Sequence, residues 1–311
     1  MPETLRKIAC FGEAMIELSL GAGEGEARVG YAGDTLNTAI YLRRLLPTDF
    51  DVEFVSAVGV DPLSDRMLEF ISDEQVGVAH MRRHPERIPG LYAITTDEAG
   101  ERSFTYWRDS SAARTLFADD GGETFAALSE FDLVYYSAIT LAILSPAQRT
   151  ALFDWIDGYR TAGGKVAFDS NYRPKLWEDV ATARRDVETA WRKCDVAFPS
   201  VDDEMELFGD ADADAVMRRL EGYGVPFGAL KRGGEGPLPI GATLPEALSY
   251  RMVAKVVDTT AAGDSFVGGF LSQYAQGADI GAALMAGHDC AARVITCPGA
   301  IVPKEIWNAE G

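Results

Sequence analysis

Along most of the chain, short apolar runs alternate with longer stretches whose apolar positions recur every three or four residues. The short runs are Lys7 to Gly12, Val52 to Val58, Asp132 to Tyr136, Lys165 to Asp169, Asp195 to Pro199 and Phe227 to Leu230. Their length and β-rich composition predict strands. The longer stretches predict helices. Asp34 to Leu46 sets Leu36, Ala39, Ile40 and Arg43 on one stripe, with Asp34 or Thr35 as N-cap. Ser145-Pro146 opens another helix, with serine at the cap and proline in the first turn. Gly163-Gly164 closes it with a left-handed cap. Repeated strand–helix–strand units imply an α/β fold with a parallel sheet covered on both faces. In such sheets ligands bind beyond the carboxyl ends of the strands. No internal repeat and no low-complexity tract interrupts the pattern.

One region departs from it. Leu91 to Thr96 and Arg102 to Arg108 are strand-like and flank the turn Asp97 to Glu101, with no helix between them. This predicts a β-hairpin outside the parallel sheet. Side chains two apart share a face, so Phe104, Tyr106 and Arg108 form one row and Tyr92 and Ile94 the matching row opposite. Such a face could be a lid over a polar ligand. On the residues alone, a hairpin packing its aromatics on the core while Arg108 reaches out to solvent is the plainer reading.

Composition narrows the class. Of 311 residues, 47% are hydrophobic and 25% charged, the usage of a soluble globular protein with one large domain and an appendage, or with two domains. No apolar run is long enough to span a membrane, and Met1 to Arg6 holds no apolar signal core, so a cytoplasmic protein is expected. Cys10, Cys194, Cys290 and Cys297 are scattered and only three histidines exist. Reduced, buried thiols are therefore expected rather than a zinc site or a disulfide framework. The net charge of −19 disfavours nucleic acid and anionic membranes as partners. It also means that any phosphate or carboxylate site must be built from local cations and backbone N–H groups.

Four segments could build one. In Asp258-Thr-Thr-Ala-Ala-Gly-Asp264, the small residues Ala261, Ala262 and Gly263 precede an acid and an apolar helix pattern. A helix start there would present free N–H groups and the positive end of its dipole to an anion. Asp264 in that first turn suits proton abstraction during phosphoryl transfer, or simply compensates the dipole. Gly33 to Asn37 is a glycine turn entering a helix, whose polar groups could grip sugar hydroxyls. Phe168 to Pro174 follows a strand, and Pro174 pushes Arg173 out of the helical region. Asp169, Asn171 and Arg173 then stand at a strand's carboxyl end, where the arginine offers a fork for a carboxylate or is merely a surface residue. Lys231 to Gly236 is a glycine turn after a strand, which would let a nucleotide approach the backbone or serve only as a turn. It is neither a Walker loop nor a Rossmann fingerprint, and no G-x-G-x-x-G follows the first strand as a nicotinamide dehydrogenase would require.

Together these segments resemble the ribokinase-like (PfkB) sugar kinases over nearly the whole chain. Within that family, G-E-A-M-I-E-L-S (12–19), A-G-D-T-L-N-T-A (32–39), P-G-L-Y (89–92), G-E-R-S-F-T-Y-W-R (100–108) and F-D-S-N-Y-R-P-K-L-W (168–177) are most similar to the 2-keto-3-deoxygluconate kinases, as is D-T-T-A-A-G-D-S-F from Asp258. The resemblance implies a three-layer α/β/α domain over 1–311, with a small β lid inserted from about 13–32 and 88–112. It implies ATP-dependent phosphorylation of a sugar acid, with magnesium and, as in some relatives, a monovalent cation. Gly33, Asn37, Tyr92, Tyr106, Arg108 and Arg173 would hold the sugar acid. Asp264 would deprotonate its terminal hydroxyl, while Ala261, Ala262 and Gly263 would form the anion hole. Ser200, Lys231, Gly233, Gly236, Ala262 and Gly263 would contact the nucleotide.

The chain departs from the family pattern in places. Ala32 replaces a glycine of the sugar turn. Ala261-Ala262 replaces Gly-Ala, a small change if both φ values are negative. Ser200-Val-Asp-Asp203 stands in the place of N-x-x-E, where a Ser/Asp pair could still order magnesium-bound water. Pro237, Pro239 and Pro245 predict an irregular segment where the family continues into a strand. The competing readings are a kinase for another sugar, such as fructose or ribose, and a non-catalytic sugar-acid binding protein on the same fold. The exposed edges of a lid hairpin could pair with a second subunit, which suggests a homodimer or higher homo-oligomer.

Overall fold

The computed structural model describes residues 4–20, 25–96, 102–118, 121–244 and 248–309. The chain enters through β1 (Lys7–Phe11), then β2 (Met15–Leu20), β3 (Ala27–Ala32) and α1 (Asp34–Leu45). Next come β4 (Asp51–Val55), β5 (Ala57–Val58), α2 (Pro62–Asp73), β6 (Arg82–Arg83), β7 (Gly90–Thr96) and β8 (Arg102–Trp107). The middle of the chain holds α3 (Gly122–Leu128), β9 (Leu133–Ser137), α4 (Ala138–Ile143), α5 (Pro146–Thr161), β10 (Lys165–Asp169), α6 (Val180–Lys193) and β11 (Val196–Phe198). The remainder is α7 (Val201–Phe208), α8 (Ala213–Tyr223), β12 (Gly228–Leu230), β13 (Leu238–Ile240), α9 (Ala262–Ala275), α10 (Ile280–Val294) and α11 (Lys304–Ala309).

Seven strands form the main sheet in the order β13-β12-β11-β10-β9-β1-β4. All neighbours run parallel except β12 and β13. Side chains alternate between two cores, as the pleat demands. Ile8, Cys10, Val52, Phe54, Leu133 and Tyr135 pack with α1, α2, α9 and α10. Ala9, Phe11, Val134, Tyr136, Val166 and Phe168 pack with α3 to α6 and their neighbours. The expected three layers are therefore present. A separate four-stranded sheet, ordered β3-β2-β7-β8, stands beside them. Its hairpin has the expected register, with Tyr92 opposite Tyr106 and Ile94 opposite Phe104. The turn Asp97 to Glu101 lies outside the described residues.

Local sequence chemistry explains much of this. Ser145 caps α5 within a full capping box with Gln148, Pro146 follows it, and Gly163 takes a left-handed φ of 101° after the helix. Three expectations need correction. The run from Val52 to Val58 breaks at Ser56, and β5 pairs with β6 instead of joining the main sheet. Ser56 interrupts it by donating its hydroxyl to the Gly12 carbonyl at 2.6 Å. The segment after Gly236 is regular enough to form β13, because Pro239 sits at the sheet edge, where a missing N–H forfeits no ladder bond. Pro245 lies outside the described residues. The cap of α1 is Gly33, neither Asp34 nor Thr35. All four cysteines are free and buried, as expected. No helix among the described residues is long and apolar enough to cross a membrane.

Candidate active site

The chain runs from β1 outward to β4, then returns through β9 to the other side of β1. The crevice beyond the carboxyl ends of β1 and β9 is thus the point where strand order reverses, the ordinary ligand position in such sheets. The start of α1 opens into it. Gly33 is required there by contact, since a Cβ would lie 2.2 Å from the Glu13 carbonyl oxygen. Freed from capping, Asp34 turns its carboxylate inward. It accepts from the Ser137 hydroxyl at 2.5 Å and from Asn171 Nδ2 at 3.0 Å. One turn on, Asn37 Nδ2 donates to Asp264 Oδ2 at 2.9 Å.

Asp264 is carried in by α9, whose face is made of small residues. A Cβ on Gly268 would meet Tyr41 Cβ at 2.9 Å, and one on Gly269 would meet the Ala286 carbonyl oxygen at 2.4 Å. These glycines let α9 press against α1 and α10, which fixes the reach from Asn37 to Asp264. The turn before α9 is tied by Asp258. Its carboxylate accepts from Thr260 N at 3.0 Å, Thr260 Oγ1 at 2.7 Å and Gly299 N at 2.6 Å. Ala261 corrects the expectation of negative φ: it is left-handed, at φ 61°. Ala262 departs from expectation too, since its N–H turns back onto the Thr259 carbonyl at 3.1 Å. Among the described residues, the N–H groups of Ala261, Gly263 and Asp264 find no acceptor. Two of the three expected anion-hole donors are therefore free, and Asp264 supplies a third.

Three carboxylates gather here. Lys231 Nζ donates to both oxygens of Asp169 at 2.7 Å, and its ammonium lies 3.5 Å from where a Cβ on Gly263 would stand. Among the described residues neither Asp34 nor Asp264 is hydrogen-bonded to a cation; their partners are Ser137, Asn171 and Asn37. Burial raises the pKa of both, and neighbouring acids push the same way. Asp264 rises to about 7, despite the lowering effects of the Asn37 hydrogen bond and Lys231. Part of its surface stays open to the crevice while the packed atoms around the carboxylate strip away most of its water. A carboxylate so placed can accept a proton near neutrality, beside donors for an anion.

On the flank, Ser200 begins α7 and bridges to Lys231. Its N–H donates to Ser170 Oγ at 2.8 Å, and that hydroxyl donates to Asp203 Oδ2 at 3.1 Å. Gly233 and Gly236 take φ values of 54° and 80° in the turn that follows.

The two arginines differ. Arg173 is extended, as Pro174 dictates, and 53% exposed, with Asp203 3.5 Å away. Arg108 is buried against Glu13, an ion pair that neither expectation for it included. Phe104 stacks on Tyr106, Tyr92 lies tilted against both, and the Tyr92 hydroxyl donates to Glu17 at 2.5 Å. Met15, Ala32, Tyr92 and Ile94 pack with Ala300, and Ala261 leans on that cluster. The hairpin face therefore meets the turn before α9, which favours a cover for the site over a core brace. Sequence reasoning missed Glu13, Ser137 and the inward role of Asp34. The only local signal was an acid inside a Gly-Asp-Thr turn that did not need it as a cap. Two cavities, about 720 and 570 Å³, are lined by other residues, among them Arg114, Trp177 and Tyr159.

Residues 5–307 match the model of the pfkB family carbohydrate kinases. The chain is 41% identical to the 2-dehydro-3-deoxygluconokinase of Dickeya dadantii (strain 3937), covering 98% of this chain and all of that one. It is 39% identical to the 2-dehydro-3-deoxygluconokinase of Escherichia coli (strain K12), over 98% and 99% of the two chains. Among solved structures, it is similar to the fructokinase of Vibrio cholerae O395 bound to fructose, ADP and calcium, with a TM-score of 0.82, 25% identity and 98% coverage of each chain.

Proposed function

The chain belongs to the pfkB family of carbohydrate kinases, and from that membership we propose that it phosphorylates 2-keto-3-deoxygluconate at its terminal hydroxyl, using ATP, to give the 6-phosphate. One observation carries the chemistry: Asp264 stands in the first turn of α9, beside unengaged N–H groups, with Asn37 of the sugar turn on its carboxylate. The relatives at 41% and 39% identity support the choice of substrate.

In this reading Gly33, Asp34 and Asn37 grip the sugar, and Asp264 takes the proton of the attacking hydroxyl. The N–H groups of Ala261 and Gly263 stabilise charge on the transferred phosphoryl group. Lys231, held by Asp169, adds positive charge at the same place. Ser200, Gly233 and Gly236 line the nucleotide side. The exposed Arg173 meets the substrate carboxylate, and Tyr92, Tyr106 and Arg108 close over the sugar, excluding water. The residues present suit magnesium only as a passenger on the phosphates: among the described residues no group of three or more acidic, histidine or cysteine side chains is arranged to hold a metal ion, the Asp34, Asp169 and Asp264 carboxylates included, and Asp203, held by Ser170, would order its water. Bound there, magnesium would neutralise developing phosphate charge. A monovalent cation beside the Asp258 turn belongs to the same reading.

The test is ADP release with Mg-ATP across 2-keto-3-deoxygluconate, its galactonate epimer, gluconate, fructose and ribose, with sodium or potassium as the salt. Turnover confined to the keto-deoxy acids supports the reading. Turnover of fructose or ribose instead would keep the kinase and discard the acid substrate. That second reading has one observation in its favour: the charge of Arg108 is already met by Glu13.

A further inference from the structure

We propose that Glu13 is a specificity-determining residue of the sugar site, acting by holding and neutralising Arg108. The inference rests on the sugar-kinase reading above and names a residue which that reading does not use. Glu13 lies just past the carboxyl end of β1, in the link to the small sheet. Its placement is unusually constrained. Its carbonyl oxygen leaves no room for a Cβ on Gly33, at the start of the sugar turn. Its carboxylate oxygen Oε1 would lie 2.8 Å from a Cβ on Gly90, at the start of the lid strand that carries Tyr92. The residue is thus wedged between the main sheet, α1 and the lid. It is 1% exposed, and its partner Arg108 is 7% exposed. Arg108 Nη2 donates to Glu13 Oε2. The buried atoms Glu13 Oε1 and Arg108 Nε have no hydrogen-bond partner among the described residues.

A buried guanidinium with a buried carboxylate against it is no longer a free cation. Anions approaching Arg108 also meet the negative charge of Glu13 a few ångströms behind it, in surroundings that screen poorly. The pair therefore offers the ligand a donor N–H and an acceptor oxygen, which suit a neutral keto or hydroxyl oxygen. Arg173, exposed and only 3.5 Å from Asp203 at its nearest, keeps usable charge for the carboxylate. Glu13 makes the two arginines unequal: one end of the sugar must be anionic and the other neutral. Acids of the wrong length, or acids carrying charge at the lid end, are rejected at Arg108.

The experiment compares wild type with Glu13→Gln and Glu13→Asp, using whichever sugar of the panel the wild type turns over. The readouts are KM, kcat and competitive inhibition by gluconate and by inorganic phosphate. Glu13→Gln keeps size and a hydrogen bond to Arg108 but removes the charge. Inhibition by both anions should strengthen about tenfold at low salt and fade as salt rises, with kcat changed less than KM. Glu13→Asp keeps the charge and moves it back by one methylene. It should raise KM while leaving anion inhibition at the wild-type level. The proposal is overturned if Glu13→Gln lowers kcat alone with unchanged anion inhibition, the signature of a merely structural brace. It is also overturned if Glu13→Asp strengthens inhibition as much as the amide does. Should Glu13→Gln fail to fold, Glu13→Asp decides alone: a raised KM with anion inhibition at the wild-type level keeps the proposal, and inhibition strengthened about tenfold overturns it. Because inhibition is read against any productive sugar, a wild type that uses fructose would overturn the acid-substrate reading while leaving this test intact.

Discussion

Two buried carboxylates in this molecule are pushed to the same place on the pH scale, and only one of them is built to react. Asp264 rises from 3.8 to about 7 and Glu204 from 4.5 to about 7, both chiefly through burial. Glu204 belongs to α7 and is fully enclosed, with Arg219 on its Oε2 at 2.7 Å. Arg219 also holds Asp210 at 2.6 Å and lies over the rings of Phe208 and Tyr223. That cluster links α7 to α8, and its Glu204 carboxylate is closed to solvent. Asp264 has an amide rather than a cation as its hydrogen-bonded partner, stays partly open, and stands among N–H groups that lack acceptors among the described residues. A raised pKa thus reports desolvation in both regions. Access and unspent donors distinguish the reactive one.

Removing each carboxylate's function should separate the two regions sharply. Asp264→Asn keeps shape and loses the base, so kcat should fall at least about 100-fold with a smaller change in sugar KM. Steady-state kinetics on the folded variant checks it. Near-normal kcat would break the assignment. Arg219→Met, in contrast, leaves Glu204 buried without its cation. It should cost about 2–4 kcal/mol of stability by urea unfolding, with kcat of the folded fraction within about threefold of wild type. If Arg219→Met lost activity as Asp264→Asn does, the α7–α8 cluster would belong to the chemistry after all.

The pH response sharpens the same contrast. Both groups bind a proton more tightly folded than unfolded, so their contribution to stability is complete below the unfolded carboxylate range. It is lost as pH rises through about 7. The ligand-free protein should therefore weaken between about pH 4 and 7 from these two sites. Activity runs the other way, since only ionised Asp264 accepts a proton, and kcat should fall as pH drops below about 7. Asp264→Asn should flatten part of the stability slope and raise stability at pH 8 by about 1–2 kcal/mol, a figure reduced for the group's partial access to solvent. Denaturant titrations of both proteins at pH 5 and 8 measure this. An unchanged slope would mean that Asp264 titrates at an ordinary value.

What was legible in the sequence follows from how far each feature depends on distant residues. Ser145-Pro146, the Tyr92–Tyr106 register and the extended Arg173 were readable because a cap, a pleat and a following proline act within a few positions. The order of small residues before Asp264 was readable because a helix start makes its own anion site. Pairs such as Asp169 with Lys231, Asp34 with Ser137 and Glu13 with Arg108 were not, as each joins separate elements that only the packed sheet and lid bring together. Pro239 misled for the same reason: whether a proline breaks a strand depends on whether that strand lies at an edge.

The smallest expected effect concerns the turn that sets the reactive region apart. Ala261 holds a left-handed conformation in which its Cβ crowds the following carbonyl, at a cost of about 1–2 kcal/mol. Glycine would remove that crowding but lose about 0.5–1 kcal/mol more backbone entropy on folding. The difference leaves Ala261→Gly more stable by about 0.5 kcal/mol, a rise in Tm of about 1–2 °C. The methyl group is not idle, since it leans on the cluster of Met15, Ala32, Tyr92, Ile94 and Ala300, so the lid and the turn brace one another through it. If the lid contact outweighs the strain, calorimetry will find Ala261→Gly less stable than wild type. The turn would then owe its shape to the lid pressing on it as well as to the Asp258 bonds beneath it, and an open lid would loosen the anion hole.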